Sequence, residues 1–405
     1  QELCAVGGEE ICIIHAGTFN KNQGPDFLHA QIKIGQTVLA GSLEIHCLTS
    51  QWDAHGHSDD ENYNNVILHV VYLHDKTDSD PLIPVLELEP RISNGLLQKY
   101  RSLMMDQQPI HCSGNIAEIN ELVWMKWIER LVAERLTRKA LDITKLLEQT
   151  KYHWEEVFWR LLARNFGSRV NGDAFEAIAT SLPFNLLTKH RTQIHHLEAL
   201  LLGQANLLRN DFSESYPRLL AREYFFLQKK YNLIPVATPV HFLRMRPGNF
   251  PSLRLAQLAM LLHQQDIFMD FFMKTEDLKS LRAFFNLTPN DFWLYHYMLD
   301  EPSSYKKKNL GKETIDNIII NTIIPFVFMY GQYHKDDHLK QKAVRLLNEL
   351  DAEVNSVTKK FTQLGVPNRT AFHSQALYEL LNQYCSAKKC LECSVGYQLL
   401  RKGIT

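Results

Sequence analysis

The 405-residue chain lacks an apolar run that approaches the roughly 20 residues needed to span a bilayer. The stretch 318–328 is apolar but contains Asn321 and Pro325, which indicates a buried helix. No N-terminal segment has the composition of a signal peptide. Because the chain begins at Gln1 without a methionine, we expect a further N-terminal segment. These features argue against a membrane partner.

An excess of charge of one sign is also lacking, since 44 basic and 45 acidic residues nearly cancel. Overall charge therefore gives no reason to expect nucleic acid or a membrane as partner, and any basic surface must be local. The seven cysteines are odd in number and follow no regular framework, which favours a reducing compartment. We therefore expect a cytoplasmic protein.

The composition, with 45% hydrophobic and 10% aromatic residues, predicts a folded protein of about two or three domains. The first part of the chain alternates between strand patterns and turns. Residues 65–74 are almost continuously apolar and β-branched, which is typical of a strand buried on both faces. The predicted strands are 9–15, 29–34, 37–47, 65–74 and 84–89, followed by a helix at 93–104.

From residue 115 onward, apolar residues recur at three- and four-residue spacing, which predicts helices. No fixed-period repeat indicates a solenoid. The sequence therefore predicts an α+β protein, with a mixed α/β domain at 1–108 and a large all-α domain at 109–405. The helical periods cover 153–166, 195–208, 216–230, 253–272, 314–328, 338–350 and 370–384.

The stretch 24–46 carries the strongest candidate for a functional site. Asp26 precedes an alternating strand, a short turn follows, and a second strand ends in Glu44 and His46. Glu44 and His46 point to the same face because side chains alternate along a strand. If the strands pair, two carboxylates and a base converge and can hold a divalent metal that activates water. A plainer alternative is that Asp26 caps a turn and the other two form an exposed strand face.

The pattern Pro25-Asp26 followed by Glu44-x-His46 resembles the PD-(D/E)XK nuclease superfamily, which has the restriction-endonuclease-like fold. In that fold the aspartate lies at the start of the second core strand and the (D/E)XK tripeptide lies on the third. The predicted strand order here agrees with that placement. The resemblance implies that Asp26 and Glu44 bind Mg²⁺ or Mn²⁺, with the Ile45 carbonyl as a third ligand.

His46 stands where that superfamily usually has lysine. A neutral imidazole can act as general base near pH 7, so we expect His46 to take a proton from water in an active site. It has no permanent positive charge, which argues against activity. The resemblance also implies a glutamate from an early helix. Glu9 and Glu10 are the candidates, or a residue that precedes Gln1.

Polar residues around the hairpin are further candidates for the pocket: Asn20, Gln23, His55, His57 and His69. Histidine and carboxylate are zinc ligand types, and three aspartates occur in the same segment, Asp53, Asp59 and Asp60. His57 or His69 can instead line the pocket and bind phosphate. The structural alternative is that His69 is a hydrogen-bonded core histidine, and that His55 and His57 stabilise a polar loop.

Three arginines, Arg244, Arg246 and Arg254, surround a segment that contains Pro247 and Pro251. The prolines favour a turn before the next helix. A helix N-terminus flanked by arginines suits an anion such as a nucleic-acid backbone. The alternative is structural, with the arginines paired inside the helical domain.

Cys385, Cys390 and Cys393 form a C-x4-C-x2-C pattern. This spacing supplies three ligands of a plant-type iron–sulfur site, and zinc accepts three cysteines plus a histidine. Cys112 and His373 are the candidates for the fourth ligand. The alternative is a group of reduced, partly buried thiols.

Longer stretches carry a second resemblance. Residues 20–75, the segment RMRPGNFPSLRLAQLA and the segment YCSAKKCLECSVG together look like a bacterial family of unknown function, DUF2851. The resemblance covers most of the chain and supplies no activity. Three functions stay open: a Mg²⁺- or Mn²⁺-dependent nuclease whose helical domain grips nucleic acid, a nuclease-like scaffold with an inactive site that binds nucleic acid or protein, and a scaffold stabilised by zinc at the cysteines.

Overall fold

The computed structural model describes residues 3–76, 83–208, 211–265 and 268–402. The chain divides into two units. The sheet unit comprises Gln1–Gln107 and Gly396–Thr405, and the helical unit comprises Gln108–Val395. The division expected from the sequence, at residue 108, assigned the last residues to the helical domain, whereas in the structure they belong to the sheet unit.

The sheet unit contains one seven-stranded mixed sheet. Its strands are β1 (Leu3–Cys4), β2 (Glu10–His15), β3 (Thr18–Phe19), β4 (Phe27–Ile34), β5 (Thr37–Leu48), β6 (Val66–Leu73) and β7 (Val85–Glu87). The order along the sheet is β1-β2-β4-β5-β6-β7, and β3 pairs with β4. Strands β2, β4 and β5 pair antiparallel, whereas β5, β6 and β7 pair parallel.

Strand β6 is buried on both faces, as its continuous apolar sequence predicted. Leu68 and Val70 lie on one face, in the main core of the unit. His69 and Val71 lie on the other face and are 3% and 0% exposed. The core also contains Ala5, Ile11, Ala30, Ile32, Leu43 and Leu86. Burial on both faces suits a strand in the parallel part of a sheet.

Gly41 fixes the register between β5 and β6. A Cβ atom on Gly41 would lie 2.5 Å from the carbonyl oxygen of Asn65, closer than atoms can approach. The neighbouring Ser42 donates its backbone N–H to the same oxygen at 2.8 Å. Glycine therefore allows the start of β6 to approach β5, and the resulting register pairs Glu44 with His69.

The helices confirm an α+β protein with a large helical part. The sheet unit contains α1 (Gln51–Ala54) and α2 (Asn94–Met105). The helical unit contains α3 (Glu121–Gln149), α4 (Trp154–Phe166), α5 (Ser168–Ser181), α6 (Phe184–Lys189), α7 (Ile194–Gln204), α8 (Ser215–Tyr231), α9 (Pro251–Gln264), α10 (Phe268–Lys274), α11 (Leu278–Phe284), α12 (Lys312–Ile318), α13 (Ile324–His334), α14 (Asp337–Glu349), α15 (Ser356–Gln363) and α16 (Ala371–Glu379). The last helix, α17 (Ser394–Arg401), lies mostly within the sheet unit.

Periodicity alone did not predict several local features. The helix expected at 253–272 forms two helices, α9 and α10. Between α12 and α13 the chain passes through a π-helical turn, Ile319–Ile323, directly before the first turn that holds Pro325. Proline lacks the backbone N–H that a regular helix uses, so the hydrogen-bond pattern must change there. A small hairpin, β8 (His296–Met298) and β9 (Glu301–Pro302), was also not predicted.

The stretch Lys312–His334 is the one candidate for a membrane span among the described residues, judged by length and composition alone. Inside the structure, 67% of its most apolar window is buried. A core helix passes the same test, in keeping with the buried helix expected at 318–328.

Candidate functional site

The end of the hairpin formed by β4 and β5 brings Asp26 and Glu44 together. Phe27 pairs with Leu43 across the two strands, and Asp26 directly precedes Phe27. The backbone N–H of Asp26 donates to Glu44 Oε2 at 3.1 Å, and the N–H of Ile45 donates to Asp26 Oδ2 at 3.0 Å. These two bonds orient both carboxylates, and Glu44 Oε1 faces the rest of the site.

His46 lies on the same face of β5 as Glu44, in agreement with the alternation of the strand. Its Nε2 is 3.4 Å from Glu44 Oε1. Its Nδ1 is 2.9 Å from Nε2 of His69, and the two rings are hydrogen-bonded. The parallel register places His69 of β6 opposite Glu44. The sheet itself therefore assembles these three side chains.

His55 and His57 reach the same point from the segment that follows α1. His57 Nε2 is 3.5 Å from Glu44 Oε1. That nitrogen is buried and has no hydrogen-bond partner. His55 is exposed, and ligand nitrogens of His46, His55 and His57 all lie within 4.8 Å of one another. We name the following residues the histidine–carboxylate site: Asp26, Glu44, His46, His55, His57 and His69.

Burial shifts the protonation of the site toward neutral groups. It raises the pKa of Glu44 to about 7, with the charge of Asp26 adding to the effect and the backbone N–H of Asp26 opposing it. It lowers the pKa of His46 and of His69 to about 4, and it lowers the pKa of His57. Near neutral pH these imidazoles are therefore uncharged, and each keeps one nitrogen lone pair.

Two aromatic residues frame the site and were not predicted as part of it. The Tyr63 ring stacks on His57 with the ring centroids 3.8 Å apart. The Trp52 ring is 5.1 Å from His69, and its Nε1 donates to Ser58 Oγ at 3.0 Å. Both lie in the polar segment 50–65. The one feature of the sequence that could have indicated their role is that they flank His55 and His57.

Asn20 shapes the loop that leads to Asp26. Its Nδ2 donates to the carbonyls of Gln23 and Pro25 at 3.2 and 3.0 Å. Gln23 contributes its backbone to this loop, and its side chain is exposed. These two predicted pocket residues therefore act on the loop conformation.

Within the described residues, the three aspartates of the segment 50–65 form no hydrogen bond with the site, although the charge of Asp60 acts on His57. Asp53 pairs with Lys76. Asp60 accepts from the backbone and side chain of Asn62 at 2.9 and 2.8 Å. Asp59 is exposed.

Glu9 and Glu10 lie away from the site, contrary to the expectation. The N–H of Gly35 donates to the Glu10 carbonyl at 2.9 Å, which places Glu10 at the turn between β4 and β5. Asp26 lies at the other end of β4. The eight residues of β4 span about 26 Å, so these glutamates cannot complete the site.

Arg254 differs from the expected anion ligand because it is only 7% exposed. It donates to Asn249 Oδ1, Gln257 Oε1 and Thr314 Oγ1 at 2.6, 3.1 and 3.1 Å. Burial lowers its pKa to about 10. The guanidinium is thus engaged inside the helical unit, as in the structural alternative. Two other arginines, Arg244 and Arg246, are exposed before α9.

The helical unit gathers four cysteines, which we name the cysteine cluster: Cys112, Cys385, Cys390 and Cys393. Burial, and then the nearby thiols of the other three, raise the pKa of Cys385. The Cys112 thiol therefore interacts electrostatically with Cys385, although among the described residues no three of these thiols lie within 4.8 Å of one another. His373 instead lies on α16, with its Nδ1 3.0 Å from Thr370 Oγ1.

Comparison with known families agrees with the longer resemblance. A family described as "Protein of unknown function (DUF2851)" matches residues 1–356. The chain belongs to this family. The DUF2851 match includes the whole histidine–carboxylate site and Cys112, and it ends before Cys385. No curated protein and no solved structure matches the chain.

Proposed function

We propose that this DUF2851 protein is a cytoplasmic, divalent-metal-dependent hydrolase that cleaves phosphodiester bonds in nucleic acid. The observation that carries the proposal is that Glu44 contacts both other residues of the motif, Asp26 and His46, at the end of β4 and β5. The Asp26 N–H donates to Glu44 Oε2 at 3.1 Å, and His46 Nε2 lies 3.4 Å from Glu44 Oε1. Their placement also supports it. The aspartate directly precedes β4, which pairs antiparallel with β2 and β5, and Glu44-x-His46 lies on β5. This arrangement resembles that of the PD-(D/E)XK pattern.

A divalent ion at this site would polarise a phosphoryl oxygen and lower the pKa of a bound water. The side chains and backbone of the site hold Glu44 and His46 in the orientations in which they would bind the ion. Asp26 holds the backbone at Ile45, and its N–H turns the Glu44 carboxylate toward the histidines. His69 fixes the ring of His46. The low pKa of His46 makes it a weak base near pH 7 but leaves a nitrogen lone pair for a ligand role, which suits it better than the expected role of proton acceptor.

The experiment incubates the purified chain with end-labelled single- and double-stranded DNA and RNA and a panel of divalent ions. We expect cleavage that needs a divalent ion and that Glu44→Gln abolishes. Glu61→Gln, a change of the same kind at an exposed position of the sheet unit, should leave cleavage unchanged. Cleavage that persists in Glu44→Gln would contradict the proposal.

A second candidate function is binding of nucleic acid without cleavage. Two observations favour it. Histidine replaces the permanently charged lysine, and both carboxylates already accept backbone N–H groups. Exposed Arg244 and Arg246 would contact phosphates. Binding that weakens as salt rises, without any cleavage with any ion of the panel, would favour this candidate over the first.

We also propose that the cysteine cluster holds a structural ion, Zn²⁺ rather than an iron–sulfur cluster. The nearness of Cys112 to Cys385 supports this, because it supplies the fourth thiol that a tetrahedral zinc site takes. A purified protein without visible absorbance but with bound zinc would distinguish zinc from an iron–sulfur cluster.

A further inference from the structure

The resemblance to PD-(D/E)XK enzymes implies Mg²⁺, but the donor atoms of the histidine–carboxylate site do not fit that ion. Mg²⁺ takes about six oxygen ligands in an octahedron. Here Asp26 Oδ2 accepts the Ile45 N–H, and Glu44 Oε2 accepts the Asp26 N–H. The atoms that face Glu44 Oε1 are imidazole nitrogens. A site with more nitrogen than available oxygen disfavours Mg²⁺.

We propose that His46, His55 and His57, together with Glu44, bind one first-row transition metal ion, with Zn²⁺ the best fit. Imidazole nitrogen with one carboxylate oxygen is a donor set that these ions prefer. Asp26 is then a positioning residue, and it is not a metal ligand.

Two distances within the site agree with edges of a tetrahedron around zinc, and the ligand nitrogens of the three histidines lie within a wider 4.8 Å of one another. Ligand atoms at about 2.0–2.2 Å from zinc are separated by roughly 3.3–3.5 Å in a tetrahedron. Glu44 Oε1 lies 3.4 Å from His46 Nε2 and 3.5 Å from His57 Nε2. Both separations are long for hydrogen bonds but suit two edges around a shared ion.

The unpartnered nitrogen of His57 independently indicates a missing ligand. Its residue is only 9% exposed, and Nε2 is buried without a hydrogen bond. A buried polar atom without a partner costs free energy, which a bound ion at this point would remove. Stacking on Tyr63 holds the ring with Nε2 toward Glu44.

His69 supplies the outer hydrogen bond that metal-bound histidines usually have. When His46 Nε2 binds an ion, its Nδ1 must carry the proton. His69 Nε2, 2.9 Å away, is then the acceptor. Such a partner fixes the tautomer and the orientation of a ligand. His55 is the exposed ligand of the proposed zinc site. Because zinc can take a fifth ligand, water or substrate can bind it beside His55.

The test measures metal binding by the full chain after removal of bound metal, with Zn²⁺ in competition with a chelating dye and with Co²⁺ followed by its visible spectrum. We expect tight Zn²⁺ binding, a tetrahedral Co²⁺ spectrum and no displacement by excess Mg²⁺. His57→Ala and Glu44→Gln should each remove one ion per chain. His69→Gln should weaken binding by about 10- to 100-fold.

Two further variants separate loss of a ligand from loss of fold. His55→Ala changes an exposed residue and should weaken Zn²⁺ binding while circular dichroism stays unchanged. His338→Ala, exposed on α14 of the helical unit, should leave binding unchanged. Zinc content that does not fall in His57→Ala and in Glu44→Gln, or Mg²⁺ that displaces zinc at comparable concentration, would overturn the inference.

The inference concerns the site of the proposed function but does not require cleavage, because binding is measured without nucleic acid. Zinc binding without cleavage would remove the nuclease and keep the metal site. Mg²⁺-dependent cleavage lost in Asp26→Ala, with no zinc bound at the histidines, would keep the nuclease and remove the inference.

Discussion

The two clusters of metal-ligand residues, one in each unit, differ in how the fold assembles them. The histidine–carboxylate site takes its residues from 26–69, on paired strands and the segment between them, and three of its ligand nitrogens meet within 4.8 Å. The cysteine cluster joins Cys112 to residues 385–393. Among the described residues its thiols do not meet that distance, although they interact electrostatically. The paired strands bring the histidine ligands together without an ion, whereas the proposed zinc would draw together the cysteines, which lie far apart in sequence.

The two clusters also differ in access to solvent. At the first cluster His55 is exposed while Glu44, His57 and His69 are buried. At the second, Cys393 is buried and the other three thiols are half-buried. Structural zinc sites are closed by four protein ligands, and catalytic ones keep a position for water or substrate. We therefore propose that the histidine–carboxylate site, where zinc can take a fifth ligand beside exposed His55, carries out chemistry. We propose that the cysteine cluster, with four thiol ligands, stabilises the helical unit.

The largest expected effect concerns the cysteine cluster. Because a structural ion contributes its binding free energy to folding, Cys385→Ser should release one zinc and lower stability by more than about 3 kcal/mol. Thermal unfolding and elemental analysis measure both effects. Cys47→Ser, at an exposed cysteine of the sheet unit, serves as control and should change neither. If Cys385→Ser keeps its zinc and its unfolding temperature, the contrast between the two clusters fails.

Glu198 of the helical unit is a useful comparison with Glu44 of the sheet unit. Both are buried carboxylates, but the hydrogen-bond partners of Glu198 are a tyrosine and a tryptophan, whereas Glu44 faces histidines. Glu198 accepts from Tyr216 Oη and Trp293 Nε1 at 2.9 and 3.1 Å, and burial raises its pKa from 4.5 to about 7. The folded state therefore binds the proton more tightly, so stability falls as pH rises from 4.5 to 7. Glu198→Gln should remove this fall, which is at most about 3 kcal/mol.

Urea unfolding at several pH values measures that effect. Zinc content should stay unchanged in Glu198→Gln but fall in Glu44→Gln. A pH dependence of stability that is the same in Glu198→Gln and in the parent chain would contradict the assignment of a raised pKa.

The smallest effect on stability concerns the strand register beneath the histidine–carboxylate site. Gly41→Ala places a Cβ against the Asn65 carbonyl and should cost about 1–3 kcal/mol. Because the register pairs Glu44 with His69, the variant should also weaken zinc binding at the histidines and leave zinc at the cysteines. Gly95→Ala, where a Cβ meets open space, is the matched control. Equal zinc affinity in Gly41→Ala and Gly95→Ala would contradict the inference that the β5–β6 register positions the zinc ligands.

Sequence reasoning reached β2, β4, β5, β6 and β7 but missed the two-residue strands β1 and β3. It also brought Asp26, Glu44 and His46 together, because strand periodicity fixes which side chains share a face. The contact of His46 with His69 needed the parallel register, which depends on packing at Gly41. The same limit explains the error over Glu10, whose pairing with the far end of β4 is not local information. Arg254 was wrongly expected to bind an anion for another reason. The sequence does not show whether a guanidinium is exposed or, as here, buried and hydrogen-bonded to three neutral acceptors.

The chain returns to the sheet unit after the whole helical unit has been made. Lys99 Nζ donates to the carbonyl of Lys402, and these residues are 303 positions apart. At ribosomal rates this separation corresponds to roughly 15 to 60 s of synthesis. The continuous helical unit is therefore free to fold on the ribosome first. The sheet unit gains its segment from residue 396 onward only after the helical unit has been synthesised, which delays complete formation of the unit that holds the histidines.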